Sequence, residues 1–447
     1  ESVERFYQQN TDGEFGRLTE LLSAGRDDSA VFSTLFRLYD FVRSHPFYLN
    51  WLDRTLGLYG EGVHVTDSIW GTCILNYAGD ALHYATGLIR QALAIISEDE
   101  KMSAAYYEPF LNDLRQLEQL AELVDARNWD GICQKLSCFG FDRLGSLRGD
   151  DPRKETVQLL RKHVKNLVKS LREKQFCATV DEFREDMDFL RPLVRLLFEL
   201  AKDFDRTFTR AKQQKNLMDF SDMEHYAIAL LVRPAGAGYA PTPLAQSIAQ
   251  LYDEVLIDEF QDTNAAQEMI FRAISHHEKN LFMVGDVKQS IYRFRQAMPE
   301  LFMEKKKKYA PYNGHDFPAK IILGKNFRSA SEITEGINFF FSLLMSEKIG
   351  EIDYNEEESL LAGATFPAGE QRGCTVSLLD MSDYTGERDK TAVEADYIAE
   401  KIATMLEKRQ QITQDGKLRD IRPSDICILL RSPSGKAQTY IDALHAR

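Results

Sequence analysis

Two adjacent acids follow a short apolar run in the segment LIDEFQDT, Leu256–Thr263. A nucleotide hydrolase needs such a pair, because one carboxylate holds Mg²⁺, usually through water, while the other orients and deprotonates the attacking water. On this interpretation Asp258 serves the metal and Glu259 serves the water. Two solvated acids at the end of a strand are an equally common reason for this pattern, and the continuation into FQDT favours the catalytic interpretation.

The segment FMVGDVKQSIYRFRQA, Phe282–Ala297, again runs from an apolar stretch through a glycine into polar residues. Gln289 can donate its side-chain amide to a γ-phosphate oxygen and so distinguish ATP from ADP. Tyr292, Phe294 and Arg295 alternate aromatic and cationic character, which suits stacking on unpaired bases together with a backbone contact. Taken alone, aromatic residues at this spacing more often pack into a core.

A third segment, ILGKNFRS, spans Ile322–Ser329. Arg328 is placed like an arginine finger that neutralises charge on a transferring phosphoryl group, and Phe327 offers a ring face to an adenine base. By itself this pattern is a weak signal, since an arginine just past a strand is more often an ordinary surface residue.

The three segments begin within three predicted strands, which are Val255–Ile257, Leu281–Val284 and Ile321–Leu323 and which come after a predicted loop at Arg233–Pro243. Short apolar runs alternating with helical stretches are typical of α/β units with parallel strands, whose carboxyl ends bind ligands. A further predicted strand at Ile426–Leu430 continues the alternation. The pattern therefore predicts an α/β fold with the chemistry at the strand ends.

The earlier part of the chain has helical periodicity instead. Apolar residues recur at spacings of three and four between Leu160 and Leu171, and again between Leu190 and Phe208, so each set lies on one face of a helix. The length of 447 residues suggests roughly three units at about 150 residues per domain. We predict a helical domain at residues 1–214 and α/β domains at 215–316 and 317–447.

Composition restricts the class of protein further. The formal charge of -14 argues against a protein that coats nucleic acid through overall positive potential, although a local basic channel is compatible with it. The six cysteines include no CxxC pair, which favours reduced thiols in a cytoplasm over a disulfide or zinc framework. No apolar run is long enough to predict a membrane span. The acidic run Glu356–Glu358 and the basic run Lys305–Lys308 are interpreted as solvated surface.

Taken together, in this order and at these separations, the three segments resemble motifs II, III and IV of the UvrD/Rep-type superfamily 1 DNA helicases. The resemblance implies RecA-like P-loop motor domains, here partial, with a large all-helical insertion domain, and ATP and Mg²⁺ as cofactors. It implies Asp258 as the magnesium residue and Glu259 as the base for hydrolysis. It also implies that Gln261 and Gln289 link the γ-phosphate to the DNA contacts.

The same resemblance assigns the remaining candidates. Phe294 falls where the family has an aromatic residue that stacks on a single-stranded base, with Tyr292 and Arg295 beside it. Arg328 matches the motif IV arginine that reaches the γ-phosphate. Phe327 stands where motif IV usually has tyrosine, so it retains the face that stacks on adenine and lacks the hydroxyl.

Further stretches resemble the AddA, RecB-like branch of this family, namely Arg37–Leu52, Leu217–Leu231 and Gly350–Ala364, while residues 53–210 are matched only loosely. Proteins of this branch join a helicase motor to a C-terminal nuclease. The resemblance implies an ATP-dependent helicase and exonuclease that processes double-strand breaks for recombinational repair. It further implies single-stranded and duplex-end DNA as substrates, and an AddB-type second subunit that completes a heterodimer.

No phosphate-binding loop of the form GxxxxGKS/T occurs in the sequence. The backbone amides and lysine of that loop cradle phosphates, so we expect it upstream of Glu1, and the nuclease domain beyond Arg447. This polypeptide by itself is then expected neither to hydrolyse ATP nor to unwind DNA. The alternative from a different class is a catalytically silent, motor-like scaffold that binds DNA or a partner subunit. The retained set of Asp258, Glu259, Gln289 and Arg328 argues against it.

Overall fold

The structure is a computed structural model that describes residues 1–10, 13–23, 27–60, 62–147, 151–235, 238–366, 373–381, 389–414 and 417–447. The chain divides into two compact units. The first comprises residues 1–255 and 264–281, and the second comprises residues 256–263 and 282–447. The three-domain boundaries drawn from the sequence stay a prediction.

The first unit is mainly helical, as the periodicity predicts. Its helices are α1 (Ser2–Gln9), α2 (Glu14–Ser23), α3 (Ser29–Val42), α4 (Tyr48–Leu56), α5 (Ile69–Ser97), α6 (Glu100–Asp125), α7 (Trp129–Ser137), α8 (Pro152–Ser170), α9 (Val180–Gln214), α10 (Phe220–Leu231), α11 (Pro243–Ala249) and α12 (Ala265–Ala273). Side chains fix where several of them begin. Thr179 and Glu182 form a reciprocal capping box at the start of α9, which satisfies two backbone amides that the first helical turn leaves unpaired.

The largest core of this unit lies between α5, α6 and α8. The buried residues Leu75, Leu82, Ile89 and Ile96 recur every seven positions along α5. A seven-residue repeat keeps one seam of a helix against its neighbours, as in coiled coils. A second core joins α1, α2 and α3 to α9, and a third joins α10, α11 and α12.

The predicted loop at Arg233–Pro243 is wrong in part, because residues 233–235 and 238–241 belong to two antiparallel strands. Strand β1 (Val232–Ala235) pairs with β2 (Gly238–Pro241), with Val232 opposite Pro241 and Ala235 opposite Gly238. Glycines and prolines such as Pro234, Gly238 and Pro241, which indicate a loop, are also found in short edge strands.

Two of the predicted strands are confirmed. Strand β3 (Val255–Ile257) pairs with β4 (Leu281–Met283). The pairing extends past the strand ends, where Val284 N donates to the carbonyl of Ile257 and Phe260 N donates to the carbonyl of Val284, both at 2.9 Å. The two polar segments that follow these strands therefore begin side by side.

The second unit continues with short strands and helices. They are α13 (Pro299–Lys308), β5 (Ala310–Pro311), β6 (Ala319–Lys320), β7 (Lys325–Asn326), α14 (Ser331–Leu344), α15 (Glu347–Gly350), β8 (Leu361–Ala362), α16 (Lys390–Glu407), β9 (Gln411–Gln414), β10 (Lys417–Asp420) and α17 (Ala437–His445). The pairs β5–β6 and β7–β8 are parallel, and β9–β10 is antiparallel.

Two predicted strands are wrong. Ile321, Ile322 and Leu323 form no ladder and are 63%, 50% and 80% exposed, since the ladders of β6 and β7 fall on either side of this apolar run. Residues Ile426–Leu430 form no ladder, and Ile428 and Leu430 instead pack on the core between α16 and α17. Within the described residues every sheet has two strands. The RecA-like assignment stays a prediction.

All six cysteines are free thiols. Among the described residues, no helix combines the length and the apolar character needed to cross a bilayer.

Candidate nucleotide and DNA site

The acidic pair lies where β3 ends. Ile257 and Phe260 are buried, while Asp258 and Glu259 between them are exposed. Glu259 has φ 50° and ψ 43°, a left-handed conformation that costs a non-glycine residue on the order of 1–3 kcal/mol. Asp258 Oδ1 accepts the backbone N–H of Glu259 at 3.0 Å. This tight turn presents both carboxylates to solvent and returns the chain to the core at Phe260.

Gln261 joins the acidic pair to the second polar segment. Its side chain is almost fully buried, at 1% exposure. Its Nε2 donates to Glu259 Oε2 at 2.6 Å, and its Oε1 accepts the backbone N–H of Asp286 at 3.0 Å. A Cβ at Gly285 would lie 2.5 Å from Gln261 Oε1, so only glycine allows this approach. The position of Glu259 is therefore tied to the turn that carries Gln289.

Asp286 and Lys288, which the sequence pattern does not single out, organise that turn. Asp286 Oδ2 accepts from Gln289 Nε2 at 3.0 Å, and Asp286 Oδ1 lies 2.9 Å from Lys288 Nζ. Burial opposes ionisation of Asp286, but the hydrogen bonds from Lys288 and Gln289 outweigh it and lower the pKa of this carboxyl. The available signal was the polar turn itself, which follows a predicted strand.

A cleft of about 470 Å³ brings the second and third polar segments together. Its lining residues are Asp286, Gln289, Leu323, Gly324, Lys325, Asn326, Phe327, Arg328 and Leu360. Three predicted site residues, Gln289, Phe327 and Arg328, thus share one cavity. In the described part of the chain, Asp258 and Glu259 do not line this cleft, and they connect to it through Gln261 and Asp286.

The pairing of β7 with β8 sets the position of Arg328. Gly363 N donates to the carbonyl of Asn326 at 2.7 Å. Asn326 Oδ1 accepts the backbone N–H groups of Arg328 at 3.0 Å and of Ser329 at 2.8 Å. A Cβ at Gly363 would lie 2.8 Å from the Phe327 ring, so this glycine allows the ring to lie against the backbone. Asn326 and Gly363 are positioning residues that the sequence analysis did not single out.

The aromatic segment is exposed, so the alternative that it packs into the core is wrong. Phe294 is 72% exposed and Tyr292 is 38% exposed. Their ring centroids lie 5.8 Å apart, and Arg295 Cζ lies 5.1 Å from the Tyr292 centroid and 5.5 Å from the Phe294 centroid. Two exposed rings beside a guanidinium are the components of a surface that stacks on unpaired bases.

Glu358 is not the solvated surface residue that the acidic run in the sequence predicts. Glu358 is only 9% exposed, because it forms ion pairs with Lys288, at 3.0 Å, and with Lys306. Burial opposes ionisation of Glu358, yet the hydrogen bonds from Lys306 and Lys288 outweigh it and hold its pKa below the ordinary value. The interpretation of Glu358 and Lys306 as solvated charges is therefore wrong.

The residues present fit a bound Mg²⁺. No cluster of three or more histidine, cysteine, aspartate or glutamate side chains suited to a metal occurs in the described ranges. Mg²⁺ does not need one, since it is usually held by one or two carboxylates together with waters and substrate phosphates. The exposed carboxylate of Asp258 is a suitable protein ligand for such a site.

Comparison with known proteins defines the class. Residues 98–310 match the UvrD/REP helicase N-terminal domain, a stretch that includes the acidic pair and the aromatic segment. Residues 98–310 are therefore similar to the N-terminal domain of the UvrD/REP helicases.

Individual relatives define the branch. The chain is 32% identical to an ATP-dependent helicase/nuclease protein of the AddA type from Ruminiclostridium cellulolyticum, over 98% of its own length and 38% of the relative. The protein of the same name from Bacillus pumilus is 34% identical over 94% of this chain and 35% of the relative. The Desulforamulus reducens protein is 32% identical, covering 99% and 39% respectively. The chain thus spans somewhat more than a third of the length of these relatives.

Proposed function

We propose that this chain forms the ATP-hydrolysing and DNA-contacting part of an ATP-dependent DNA helicase and translocase. One observation carries the proposal: Gln261 hydrogen-bonds both to Glu259 and to Asp286, and Asp286 shares a cleft with Gln289 and Arg328. A direct link between a candidate catalytic base and groups that reach a phosphate is what coupling of hydrolysis to movement requires. The names of the relatives support the same activity.

Each residue has a specific role in this proposal. Asp258 holds Mg²⁺, which neutralises phosphate charge when bound, and Glu259 orients and deprotonates the attacking water. Gln289 exchanges its hydrogen bond to Asp286 for one to the γ-phosphate, where Arg328 stabilises the developing charge. Phe327 stacks on the adenine base.

The DNA-contacting surface is assigned to the exposed aromatic segment. Phe294 and Tyr292 stack on successive bases of a single strand, and Arg295 contacts the backbone. Movement of these groups with the nucleotide state would then advance the strand through the protein.

The wider function follows from the relatives. We propose a helicase and exonuclease that acts at duplex ends and single strands during double-strand break repair, with an AddB-type second subunit, in the cytoplasm. The proposed arrangement is a helical insertion at 1–214, the remainder of a RecA-like domain at 215–316 and a second one at 317–447. Because the sequence holds no GxxxxGKS/T loop, we propose that the 447-residue polypeptide alone does not turn over ATP.

Replacement of Glu259 tests the proposal in the full-length protein. Glu259→Gln should retain ATP binding and lose at least about 100-fold in ATP hydrolysis stimulated by single-stranded DNA, because the amide cannot accept the proton from water. Glu254→Gln, which changes another exposed acid just before β3, serves as the matched control. Undiminished turnover of Glu259→Gln would remove this residue from its role. DNA binding without turnover in the unaltered protein would favour the silent scaffold.

A further inference from the structure

A largely buried series of ion pairs begins at Asp286, which lines the cleft, and continues to Lys288 and Glu358, which have no role in the proposed function so far. Glu358 Oε2 accepts from Lys288 Nζ at 3.0 Å, and the same ammonium lies 2.9 Å from Asp286 Oδ1. The side chains of Lys288 and Glu358 are 17% and 10% exposed. Lys306 forms a second ion pair with Glu358. Two lysines and two carboxylates therefore neutralise one another in a partly desolvated location.

The two ends of this ion-pair series connect to different segments that line the cleft. The carboxylate of Asp286 accepts a hydrogen bond from the side-chain amide of Gln289, and the backbone N–H of Asp286 donates to the side chain of Gln261. Glu358 lies three residues before β8, and Leu361 N donates to the carbonyl of Gly324 at 3.0 Å. Because β8 pairs with β7 in the parallel register Lys325 to Leu361, it holds the strand that leads directly to Arg328. Leu360, between Glu358 and β8, lines the cleft itself.

Lys288, Asp286 and Glu358 remain charged near neutral pH. Burial alone would lower the pKa of Lys288, but its contacts with Asp286 and Glu358 outweigh burial and raise it. The carboxyls of Asp286 and Glu358 have lowered pKa values for the reciprocal reason. A buried ion pair with both partners charged resists separation, since removing one partner leaves the other uncompensated.

We propose that Lys288 and Glu358 are positioning residues that fix the distance between Gln289 and Arg328, so that both reach one phosphate at the same time. The inference rests on the proposed function and identifies two further residues that determine the geometry of its site. Neither residue touches the nucleotide in this scheme: Lys288 acts through Asp286 and Gln289, and Glu358 acts through β8 and β7. Phosphoryl transfer depends steeply on such placement, because a displacement of about 1 Å can cost on the order of 100-fold in rate.

Glu358→Gln in the full-length protein tests the proposal through turnover. We expect kcat for DNA-stimulated ATP hydrolysis to fall by about 10- to 100-fold. The KM for ATP should change by less than about threefold, because ground-state binding does not require Gln289 and Arg328 to reach the same phosphate together. Glu357→Gln is the matched control: Glu357 is adjacent, is 40% exposed and contacts Lys306 and Lys320 only at 3.6 and 3.7 Å. Its kcat should stay within about twofold.

A mutant cycle separates positioning from general destabilisation. If Glu358 acts through the placement of Gln289, Glu358→Gln should cause little further loss in a Gln289→Ala background. A multiplicative loss in the double variant would overturn the proposal. An unchanged kcat in the single variant would overturn it as well, as would a loss no greater than the loss of folded protein measured by thermal unfolding.

Amide hydrogen exchange provides a readout that does not depend on turnover. The N–H groups of Leu361 and Gly363 hold β8 on β7, and they should exchange at least about tenfold faster in Glu358→Gln than in Glu357→Gln. Equal exchange in the two variants would exclude the anchoring role. If the unaltered protein lacks ATPase activity but these amides still exchange faster in Glu358→Gln than in Glu357→Gln, the anchoring role stands. The proposed function is then the part that failed.

Discussion

The side-chain amide of Gln261 donates to the carboxylate of Glu259 at 2.6 Å while its carbonyl oxygen accepts the backbone N–H of Asp286 at 3.0 Å. A buried glutamine thus has both polar ends engaged, one with a candidate base and the other with the turn that leads to Gln289. Any shift of that turn must change the hydrogen bond to Glu259. We therefore expect Gln261 to couple the nucleotide state to the contacts with single-stranded DNA.

Replacement of Gln261 by leucine should uncouple the two segments. Gln261→Leu leaves the N–H of Asp286 without its acceptor, which costs about 1–3 kcal/mol of folding free energy, and frees the Glu259 carboxylate. We expect kcat for ATP hydrolysis to fall by at least about tenfold with ATP affinity little changed. Steady-state kinetics and nucleotide titration of the full-length protein measure both. Gln246→Leu, at an exposed glutamine of α11, is the control, and equal kcat values in the two variants would contradict the coupling.

Truncation of Phe294 should weaken binding of single-stranded DNA. Stacking of a base on an aromatic side chain contributes about 1–3 kcal/mol, so Phe294→Ala should raise the Kd for an oligothymidine by about 5- to 150-fold at fixed salt. Fluorescence anisotropy of the full-length protein gives this ratio. Phe189→Ala on α9 removes a ring that is 51% exposed and should leave the Kd unchanged. A similar Kd for both variants would rule out Phe294 as a stacking residue.

The helical unit contains an ion pair whose loss should be costly. Arg161 donates to Asp113 through two hydrogen bonds, at 2.6 and 3.0 Å, and both side chains are almost fully buried. Arg161→Met leaves an uncompensated carboxylate in the core between α5, α6 and α8, so urea unfolding should show a loss of about 3–5 kcal/mol. Arg90→Met breaks the exposed pair of Arg90 with Glu118 and should cost less than about 1 kcal/mol. Similar costs for the two variants would disprove the special contribution of Arg161.

Stability of the first unit should decrease in mild acid because of His225. Its Nε2 lies 2.9 Å from the carbonyl oxygen of Arg43, and since a carbonyl only accepts, Nε2 carries the proton. Burial, and then the positive charge of Arg43, lower the pKa of His225. The unfolded chain therefore takes up a proton first as the pH falls through about 6.5, and stability falls below that pH with a slope of up to about 1.4 kcal/mol per pH unit.

The pH dependence can be assigned with two substitutions. His225→Gln should flatten the loss of unfolding free energy between pH 7 and 5, measured by urea titration at each pH. His83→Gln, at an exposed histidine of α5, should leave the slope unchanged. If His225→Gln retains the full slope, other groups cause the acid sensitivity, and His45, whose pKa is also lowered by burial, becomes the next candidate.

The sequence was sufficient for the parts of the site whose signal is local. Asp258 and Glu259 follow an apolar run that does form β3, and the helical character of the first unit follows from spacings of three and four. Local pattern was misleading at Ile321–Leu323, because a strand needs a partner and these residues have none among those described. Apolar character alone does not supply that partner.

The contacts that organise the cleft depend on residues far apart in the chain. Glu358 reads as one of three solvated acids until Lys288 and Lys306, 70 and 52 positions away, are brought to it. Gln261 likewise meets Asp286 across 25 positions. No periodicity predicts such pairs, since ion pairs and side-chain hydrogen bonds depend on how separate segments pack.

The left-handed backbone at Glu259 makes folding less favourable, whereas the proposed chemistry requires the side chain at this position. Glycine adopts this conformation at no steric cost, so Glu259→Gly would make the β3 turn easier to form while removing the carboxylate. Glu259 therefore combines an unfavourable backbone conformation with the side chain that the proposed hydrolysis requires.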